Sequence, residues 1–415
     1  MIKRNTFFSA YLAISFVVFA SVGAWGASNT TTTTSRTTHA RRTHGAVQET
    51  THAKTRIASL QHHYRSTRAH VVSATLHGRH HYYERFTASS FADNITAGDV
   101  TAGEDPVVRQ AAIDALDGMN GTVVAIDPDT GRILAMVNQK LALSSGAEPC
   151  STIKVSVALA ALEEHIITKE TPVKLGPHYS VTLTEALAKS NNLYFETLGR
   201  ELGFERVRQH AMEFGLGELA GYNIAGEQLG RYPTTVLPEK EGGVGKMCSF
   251  GQSVSMTPLQ LGALVGAIAN GGTLYYLQHP ETPAEVLAFQ AKVKRELDIK
   301  PLIPEISTGM EAAVDYGTAR SLHTSFKEIP VLGKTGTCSN NGTRYGWFAS
   351  FANTSYGRIV TVIFLEGGRP TFGPKAAELS GHFYRNLYDH SYFADKSSAI
   401  PVSDSKTATS VGISQ

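Results

Sequence analysis

The sequence predicts a mixed α/β (α+β) fold, in which the chain enters an antiparallel five-stranded sheet, leaves it to form a helical lobe, and then returns. Three observations predict it. Two short apolar stretches flank a turn early in the folded region, and three further apolar stretches follow one another near its end. Between them, residues 151–272 are rich in Ala and Leu at helical spacing. Strands at both ends with helices between them imply a sheet built from two distant parts of the chain.

The elements are predicted in chain order. Asp127 to Gly131 carries the Pro, Asp and Gly of a hairpin turn between the first two strands. Gly271 is expected to end the longest helix of the lobe. The predicted helices include residues 105–116, 258–270 and 374–389, and the predicted strands cover residues 122–126, 133–137, 329–337, 344–352 and 358–366. A functional site is expected where the sheet meets the helical lobe.

Composition and the first residues limit the function classes. The chain has 415 residues, 42% of them hydrophobic, which is enough for one large or two smaller folded domains. Its formal net charge of +2 gives no indication of nucleic acid binding, and none is expected. Lys3 and Arg4 precede an apolar stretch at residues 7–27, the charge order of an export signal. Residues 1–27 are therefore predicted to be a signal peptide or a membrane anchor, since about 20 apolar residues can cross a bilayer.

Low-complexity segments are predicted on both sides of the folded domain, which is expected at residues 105–390. Residues 28–104 are rich in Thr and then in Arg and His, with little apolar periodicity, as is typical of a linker. Nine of the 16 histidines lie there, but at irregular spacing and without a cluster of cysteines or carboxylates, so no metal site is predicted. Residues 391–415 are rich in Ser and predicted to be a disordered tail.

Ser151 and Lys154 form the first chemical motif. They lie three residues apart at the start of a predicted helix, so the amine can lie beside the hydroxyl. A serine hydroxyl needs an adjacent base to become a good nucleophile. A lysine is such a base only when neutral, and burial, a helix N-terminus and a second cation, for which Lys334 is the candidate, lower its pKa. The alternative is that Ser151 caps the helix and Lys154 is solvated.

The segment around Lys334 is the second motif. It is typical of an apolar strand that reaches an edge where the backbone approaches a ligand closely. Gly336 alternatively marks a β-bulge. Thr335 and Thr337 alternate with Gly336, so their side chains are expected on one face, as hydroxyl partners for a substrate carboxylate.

With a third motif, the chain resembles the transpeptidase domain of penicillin-binding proteins, within the penicilloyl-serine transferase superfamily that includes the serine β-lactamases. Alone, Ser190-Asn191-Asn192 would be a polar helix-to-loop junction. Residues 121–137 and 249–272 also resemble that family. The motifs that carry the resemblance are, in order, Ser151-Thr152-Ile153-Lys154, Ser190-Asn191-Asn192 and Lys334-Thr335-Gly336-Thr337, and smaller agreements occur at Gly317-Thr318-Ala319 and Trp347-Phe348. The resemblance implies a sheet covered by helices, with all three motifs in one cleft.

The resemblance also implies a role for each motif residue. Ser151 would be the nucleophile and Lys154 the general base, while Ser190 would relay a proton to the leaving amine. Asn192 would hold the amide side of the substrate, and Lys334 would support the electrostatics. In the Lys334-Thr335-Gly336-Thr337 segment, the two threonines would bind the substrate carboxylate. The oxyanion hole would be the backbone N–H groups of Ser151 and Thr337.

A disulfide between Cys150 and Cys338 is a further expectation. Each cysteine is adjacent to a motif residue, so convergence of the motifs would bring them together, and an exported protein can form the bond. Some class A carbapenem-hydrolysing β-lactamases carry a bridge at the equivalent positions. Cys248 would stay unpaired. The alternative is three buried free thiols.

The resemblance implies a peptidoglycan D,D-transpeptidase that acts on stem peptides, is acylated by β-lactams and needs no metal or organic cofactor. A serine β-lactamase or a D,D-carboxypeptidase with the same site remains an alternative, as does a non-enzymatic β-lactam receptor or wall-binding module. Glu227 lies at a suggestive distance after Ser190 for a deacylating base, but its surroundings do not match the β-lactamase pattern. The chain is expected outside the cytoplasm, periplasmic or anchored to the membrane by residues 7–27. A glycan polymerase is left open as a partner.

Overall fold

The computed structural model describes residues 86–354 and 357–394. The predicted signal or anchor and most of the predicted linker and tail therefore lie outside the described residues. Within the described ranges, no helix combines the length and the hydropathy that crossing a bilayer requires.

The central sheet has five antiparallel strands in the order β2-β1-β9-β8-β7, so the prediction of a sheet built from both parts of the chain is confirmed. The strand β7 forms one edge. Each strand lies within a few residues of its predicted range. The strands are β1 Gly121–Asp127, β2 Arg132–Val137, β7 Val331–Asn340, β8 Thr343–Thr354 and β9 Gly357–Gly367.

Helices surround this sheet, and their bounds follow from local sequence. Asp105 caps the first helix by accepting hydrogen bonds from two backbone N–H groups. Thr257 and Gln260 form a capping box at the start of the eighth helix, and Gly271 ends it in a left-handed conformation, as predicted. The helices are α1 Pro106–Leu116, α2 Gln139–Ala142, α3 Lys154–Glu163, α4 Leu183–Ala188, α5 Asn192–Leu202, α6 Phe204–Glu213, α7 Gly243–Phe250, α8 Pro258–Asn270, α9 Pro283–Leu287, α10 Ile303–Asp315 and α11 Gly373–Asp389.

Both faces of the sheet are buried. Successive side chains of a strand point to opposite faces, and in this sheet each face packs against its own apolar core. In β1, Val124 and Ile126 belong to the apolar core that contains α3, α5 and α8. Val123 and Ala125 belong to a second core with α1 and α11. The helical lobe thus lies on one face of the sheet and the two terminal helices on the other.

The lobe is less helical than residues 151–272 predict. It contains a small hairpin of β3 Val173–Gly176 and β4 Tyr179–Val181. Directly after the predicted range, a second two-stranded sheet, also not predicted, joins β5 Thr273–Tyr275 to β6 Val293–Glu296. These strands are only three or four residues long. Such short strands give no period-two pattern, which is why the sequence does not predict them.

The folded body extends beyond the expected boundary at residue 105. Ser90 is buried, and its Oγ accepts a hydrogen bond of 2.7 Å from the backbone N–H of Gly368. Asp99 accepts a hydrogen bond of 2.8 Å from Arg109. Residues 86–104, assigned to the linker on composition, therefore pack on the domain through polar contacts that hydrophobic periodicity does not detect. At the other end, Phe393 is buried, so the expected tail begins a few residues too early.

Candidate active site

The candidate nucleophile lies in a short 3₁₀ turn, Cys150–Ile153, that leads directly into α3. This turn places Lys154 Nζ 2.7 Å from Ser151 Oγ, as the three-residue spacing predicts. The residue before α3 is Ile153, so Ser151 is not the N-cap of that helix, and Lys154 is fully buried. The alternative of a capping serine and a solvated lysine is therefore wrong.

Lys154 lies among several oxygen atoms. Besides Ser151 Oγ, its Nζ contacts Asn192 Oδ1 at 2.7 Å and both the Oγ and the carbonyl oxygen of Ser190 at 3.1 Å. A lysine ammonium has three N–H donors, fewer than these four oxygens. A neutral amine can instead accept the Ser151 hydroxyl proton while it donates to Asn192 and Ser190. The arrangement therefore suits a general base.

The surroundings of Lys154 favour this neutral form. Burial lowers its pKa well below the usual value of a lysine, and the nearby Lys334 lowers it further, whereas Glu196 acts in the opposite direction. The face of the Phe195 ring, 5.6 Å from Nζ, also acts in the opposite direction, because it attracts a cation. Lys154 is thus neutral over a wider pH range than an ordinary lysine, as a general base must be.

Lys334 reaches the same centre from the sheet. It lies on the edge strand β7 and is fully buried, and its Nζ donates to Ser190 Oγ at 2.9 Å and to the carbonyl oxygen of Thr335 at 2.9 Å. Burial lowers its pKa to about 7. The second lysine expected near Lys154 is therefore present, and the two lysines share one serine hydroxyl.

Ser190 occupies the connection between α4 and α5, and its φ of 54° is in the left-handed region. The following residue, Asn191, caps α5 by accepting a hydrogen bond from the N–H of Tyr194 at 3.0 Å. The tight connection turns the Ser190 hydroxyl toward both lysines, and Asn192 follows as the exposed first residue of α5. The motif is a helix-to-helix junction that also supplies two polar side chains to the site.

The two threonines of β7 have partners already. Thr335 Oγ1 lies 2.6 Å from Thr318 Oγ1, and Thr337 Oγ1 accepts a hydrogen bond of 2.7 Å from the N–H of Gly373. Because a hydroxyl has one donor and two acceptor positions, Thr337 can still donate to a ligand. Thr318 is a site neighbour to which sequence reasoning gave no role, and its only signal was the Gly317-Thr318-Ala319 agreement.

Gly336 brings β7 against the nucleophile turn. A Cβ atom added at this position would lie 2.8 Å from the carbonyl oxygen of Pro149 and 3.1 Å from Cγ2 of Thr152. The strand can therefore approach the turn this closely only with glycine. Its register with β8 is continuous on both sides, so close approach and not a β-bulge explains Gly336.

A disulfide joins the same two elements. Cys150 and Cys338 are bonded, with their Cα atoms 5.5 Å apart and 188 positions between them in sequence. Cys248 is free and buried, so the alternative of three free thiols is wrong. Cys150 immediately precedes Ser151, and Cys338 immediately follows Thr337. The bond between the cysteines therefore brings the two residues of the predicted oxyanion hole close together. Their use as an oxyanion hole stays a prediction.

Trp347 gives the nucleophile turn a further anchor from the sheet. Its indole N–H donates to the carbonyl oxygen of Glu148 at 3.0 Å, and its ring stacks on Phe364 with centroids 4.0 Å apart. In the sequence, Trp347 stands out only as part of a family resemblance. A hydrogen bond between residues 199 positions apart leaves no local pattern that could predict it.

Comparisons with known proteins point to one family. The family model "Penicillin binding protein transpeptidase domain" matches residues 121–389. Stage V sporulation protein D of Bacillus subtilis is 29% identical over 324 residues, which are 65% of this chain and 49% of that protein. Peptidoglycan D,D-transpeptidase PbpA of Mycolicibacterium smegmatis is 26% identical over 359 residues, 69% of this chain and 72% of that protein. The chain thus spans about half to three quarters of the length of these two relatives.

Solved structures share the fold. A peptidoglycan glycosyltransferase from Burkholderia ambifaria superposes with a TM-score of 0.59 at 20% identity, covering 70% of this chain and 97% of that one. The transpeptidase domain of penicillin-binding protein 3 from Burkholderia pseudomallei gives a TM-score of 0.58 at 21% identity, covering 73% of this chain and 95% of that one. Because the family model spans more than half of the sequence, the chain belongs to the family of penicillin-binding protein transpeptidase domains.

Proposed function

We propose that this protein is a peptidoglycan D,D-transpeptidase that cross-links the cell wall through an acyl-enzyme on Ser151. The observation that carries the proposal is the 2.7 Å contact between Ser151 Oγ and the buried amine of Lys154, with Lys334 beside it. A hydroxyl next to a lysine of lowered pKa is an activated acyl acceptor. Family membership and the names of relatives such as PbpA support the same activity.

In the first half-reaction, Ser151 Oγ attacks the carbonyl carbon of the penultimate D-Ala of a stem peptide while its proton passes to Lys154. The oxyanion that forms is held by the backbone N–H groups of Ser151 and Thr337, donors whose loss typically costs about a hundredfold or more in rate. The C–N bond to the terminal D-Ala then breaks. Ser190 Oγ, 3.1 Å from Lys154 Nζ, relays the proton to the leaving amine.

In the second half-reaction, the amine of a neighbouring stem peptide attacks the ester carbonyl. A new C–N bond forms as the amine loses a proton to Lys154 through Ser190. The ester bond between the acyl carbon and Ser151 Oγ then breaks, and Oγ recovers its proton from Lys154. Lys334 donates to Ser190 and so orients the relay. In the first half-reaction, Asn192 holds the amide side of the donor peptide, and Thr335 and Thr337 bind the carboxylate of its terminal D-Ala until that residue leaves. The cycle consists of two acyl transfers and the accompanying proton transfers and needs no cofactor.

β-Lactams acylate the same serine. Ser151 Oγ attacks the carbonyl carbon of the β-lactam ring as it attacks the carbonyl carbon of D-Ala. The C–N bond of the ring breaks, but the nitrogen stays attached to the acyl group through the rest of the molecule. The tethered group remains where the acceptor amine would enter, so the acyl-enzyme persists.

The contacts of Glu227 favour transfer over β-lactam hydrolysis. Its carboxylate accepts hydrogen bonds from the N–H groups of Ala220 at 2.9 Å and of Gly221 at 3.0 and 3.1 Å. These bonds hold a loop together. Burial raises the pKa of Glu227, but the bonds from Gly221 and Ala220 oppose that rise and occupy lone pairs that a base for water would use. Glu227→Gln is accordingly expected to lower the free energy of unfolding without changing the lifetime of the penicilloyl adduct.

We also propose an exported location and a division of the chain. Residues 7–27 act as a membrane anchor or as a cleaved signal, residues 28 to about 85 link this segment to the catalytic domain, and the tail follows residue 394. The packing of residues 86–104 on the domain supports an earlier start of the catalytic domain than residue 105. A glycan polymerase is the proposed partner. One structural neighbour, 23% identical with a TM-score of 0.56, is described as a peptidoglycan synthase complex that coordinates polymerization and crosslinking.

The test is acylation followed by product analysis. After exposure to benzylpenicillin, mass spectrometry should find the penicilloyl group on the peptide that contains Ser151, stable for hours, and should find none in Ser151→Ala. With a stem peptide that ends in D-Ala-D-Ala, D-Ala should be released and an added amine acceptor joined to the donor. Absence of both the adduct and D-Ala release would defeat the proposal. Release without joining would indicate a D,D-carboxypeptidase, and adduct loss within seconds a β-lactamase.

A further inference from the structure

A second group of ionisable side chains lies at the far end of the nucleophile helix. Glu163 and Glu164 end α3, and His210 and Glu213 lie on the last turn of α6. His210 is 5% exposed, whereas the three glutamates are partly open to solvent. The active-site residues described above do not include any of these four.

One nitrogen of the imidazole is fixed by a carboxylate. His210 Nε2 lies 2.8 Å from Glu164 Oε1, so Nε2 carries a proton and donates it to Glu164. In a neutral imidazole, Nδ1 then presents its lone pair. Nδ1 and the buried Oε2 atom of Glu163 have no hydrogen-bond partner among the residues that the structure describes. Unsatisfied buried polar atoms of this kind call for an explanation, and a bound ion or water molecule between them is one.

The separations of these atoms fit ligands of one metal ion. His210 Nδ1 lies 3.3 Å from Glu163 Oε2 and 3.6 Å from Glu213 Oε2, and the possible ligand atoms of these residues lie within 4.8 Å of one another. Charge-assisted hydrogen bonds are shorter, at about 2.7–2.9 Å. With metal-ligand distances of about 2.0–2.2 Å, two ligands of a tetrahedral zinc ion lie roughly 3.4 Å apart.

The local charge favours a cation in this position. Burial raises the pKa of Glu163, and the nearby carboxylates Glu213, Asp298 and Glu164 raise it further, while His210 acts in the opposite direction. Arg206 lies 3.2 Å from Glu164 Oε2, which is the carboxylate oxygen that does not contact the imidazole. Repulsion between the remaining carboxylates is therefore relieved by any divalent ion placed between them.

We propose that His210 Nδ1, Glu163 and Glu213 bind a divalent transition-metal ion of the zinc type, with a water molecule as the fourth ligand. Glu164 orients the imidazole from outside the coordination shell, a common arrangement for metal-binding histidines. One nitrogen and two carboxylates suit zinc better than magnesium or calcium, which prefer oxygen. The ion connects the end of α3, whose first residue is Lys154, to α6. It is a structural connection that the proposed acyl transfer does not require.

The test uses the full chain after removal of metals with a chelator and dialysis. Zinc is added while calorimetry measures binding and thermal unfolding measures stabilisation. At zinc about 100-fold above Kd, Tm should rise by about 4 °C. Glu213→Gln, a change at a half-open position, should weaken the stabilising site at least tenfold. Glu164→Gln should weaken it by about 10–100-fold, the usual effect of removing an outer partner.

Glu205→Gln is the matched control, because Glu205 is an exposed glutamate in the first turn of the same helix. This variant should bind zinc and gain Tm as the unaltered chain does. Histidines of residues 39–81 can add zinc sites, but Glu213→Gln should leave those unchanged. The proposal is overturned if zinc does not raise Tm, if Glu213→Gln keeps the wild-type affinity, or if magnesium stabilises as strongly as zinc.

Discussion

Lys154 Nζ lies 2.7 Å from Ser151 Oγ although Lys154 is fully buried and has Lys334 as a neighbour. A buried ammonium next to a second amine is unfavourable, and loss of its proton relieves both burial and repulsion. In the proposed mechanism, the same destabilisation makes Lys154 a base for Ser151. The cost of burying a charge would then serve to activate a nucleophile.

Replacing the base should abolish acylation while the fold remains. Lys154→Met keeps the length of the side chain and removes the amine, so acylation of Ser151 by benzylpenicillin should slow by about 10²–10⁴-fold, the usual range for a general base. Stopped-flow acylation measures the rate. Lys140→Met, at an exposed position of α2, is the control and should react normally. A Lys154→Met protein that is acylated at the wild-type rate would exclude Lys154 as the base.

The acylation rate should rise with pH as Lys154 loses its proton. Because the pKa of Lys154 is lowered well below that of an ordinary lysine, the rise should be complete far below pH 10.5. Lys334→Met removes one cause of that lowering, so the rise should move to higher pH. Rates of acylation between pH 5 and 10 measure both profiles. Identical profiles would show that Lys334 does not influence the base.

Stability should also depend on Lys334. Its pKa is about 7 in the folded chain, whereas a lysine in the unfolded chain has the ordinary value of 10.5. Between pH 7 and 10.5, the unfolded chain therefore binds more protons than the folded chain. The free energy of unfolding should therefore rise with pH across this window, by at most about 1.4 kcal/mol per pH unit. Lys334→Met should lack this component. Urea unfolding of both proteins at pH 7, 8 and 9 measures the difference, and parallel curves would contradict it.

The disulfide should contribute both to stability and to the geometry of the site. Loss of a bond across 188 positions lowers the free energy of unfolding by up to about 5 kcal/mol in the chain-entropy model. The double variant Cys150→Ala, Cys338→Ala should be less stable and be acylated more slowly. Urea unfolding with and without dithiothreitol measures the effect. Dithiothreitol should destabilise the wild type and Cys248→Ala but not the double variant. If it destabilised all three proteins equally, the Cys150–Cys338 disulfide would be contradicted.

A methyl group at Gly336 should separate the strand from the nucleophile turn. The added Cβ would meet backbone and a threonine methyl, so Gly336→Ala should cost about 1–3 kcal/mol and slow acylation. Gly266→Ala in α8 is the matched control. Among the described residues, no atom lies within 4 Å of its added Cβ, so it should stabilise the helix by about 0.5–1 kcal/mol. If Gly336→Ala were as stable and as reactive as the wild type, β7 would not need this close approach.

Several elements were predictable because their signals are local. The helix at residues 258–270 carries its own cap and its own terminating glycine, and the five sheet strands are apolar stretches bounded by turn residues. The Ser151 to Lys154 spacing fixes a shared face through helix geometry alone. The short strands β3 to β6 and the packing of residues 86–104 escaped prediction, because three-residue strands and scattered polar contacts have no period.

By itself, the sequence determined the candidate residues of the site, their order, and the two separated groups of strands that form one sheet. The tertiary structure alone decided that Lys154 and Lys334 share the Ser190 hydroxyl, that Thr318 contacts Thr335, and that His210 meets Glu163 at the end of α3. These contacts join residues 17 to 144 positions apart. Burial and distance between such residues depend on how whole elements pack, and no short stretch of sequence contains that information.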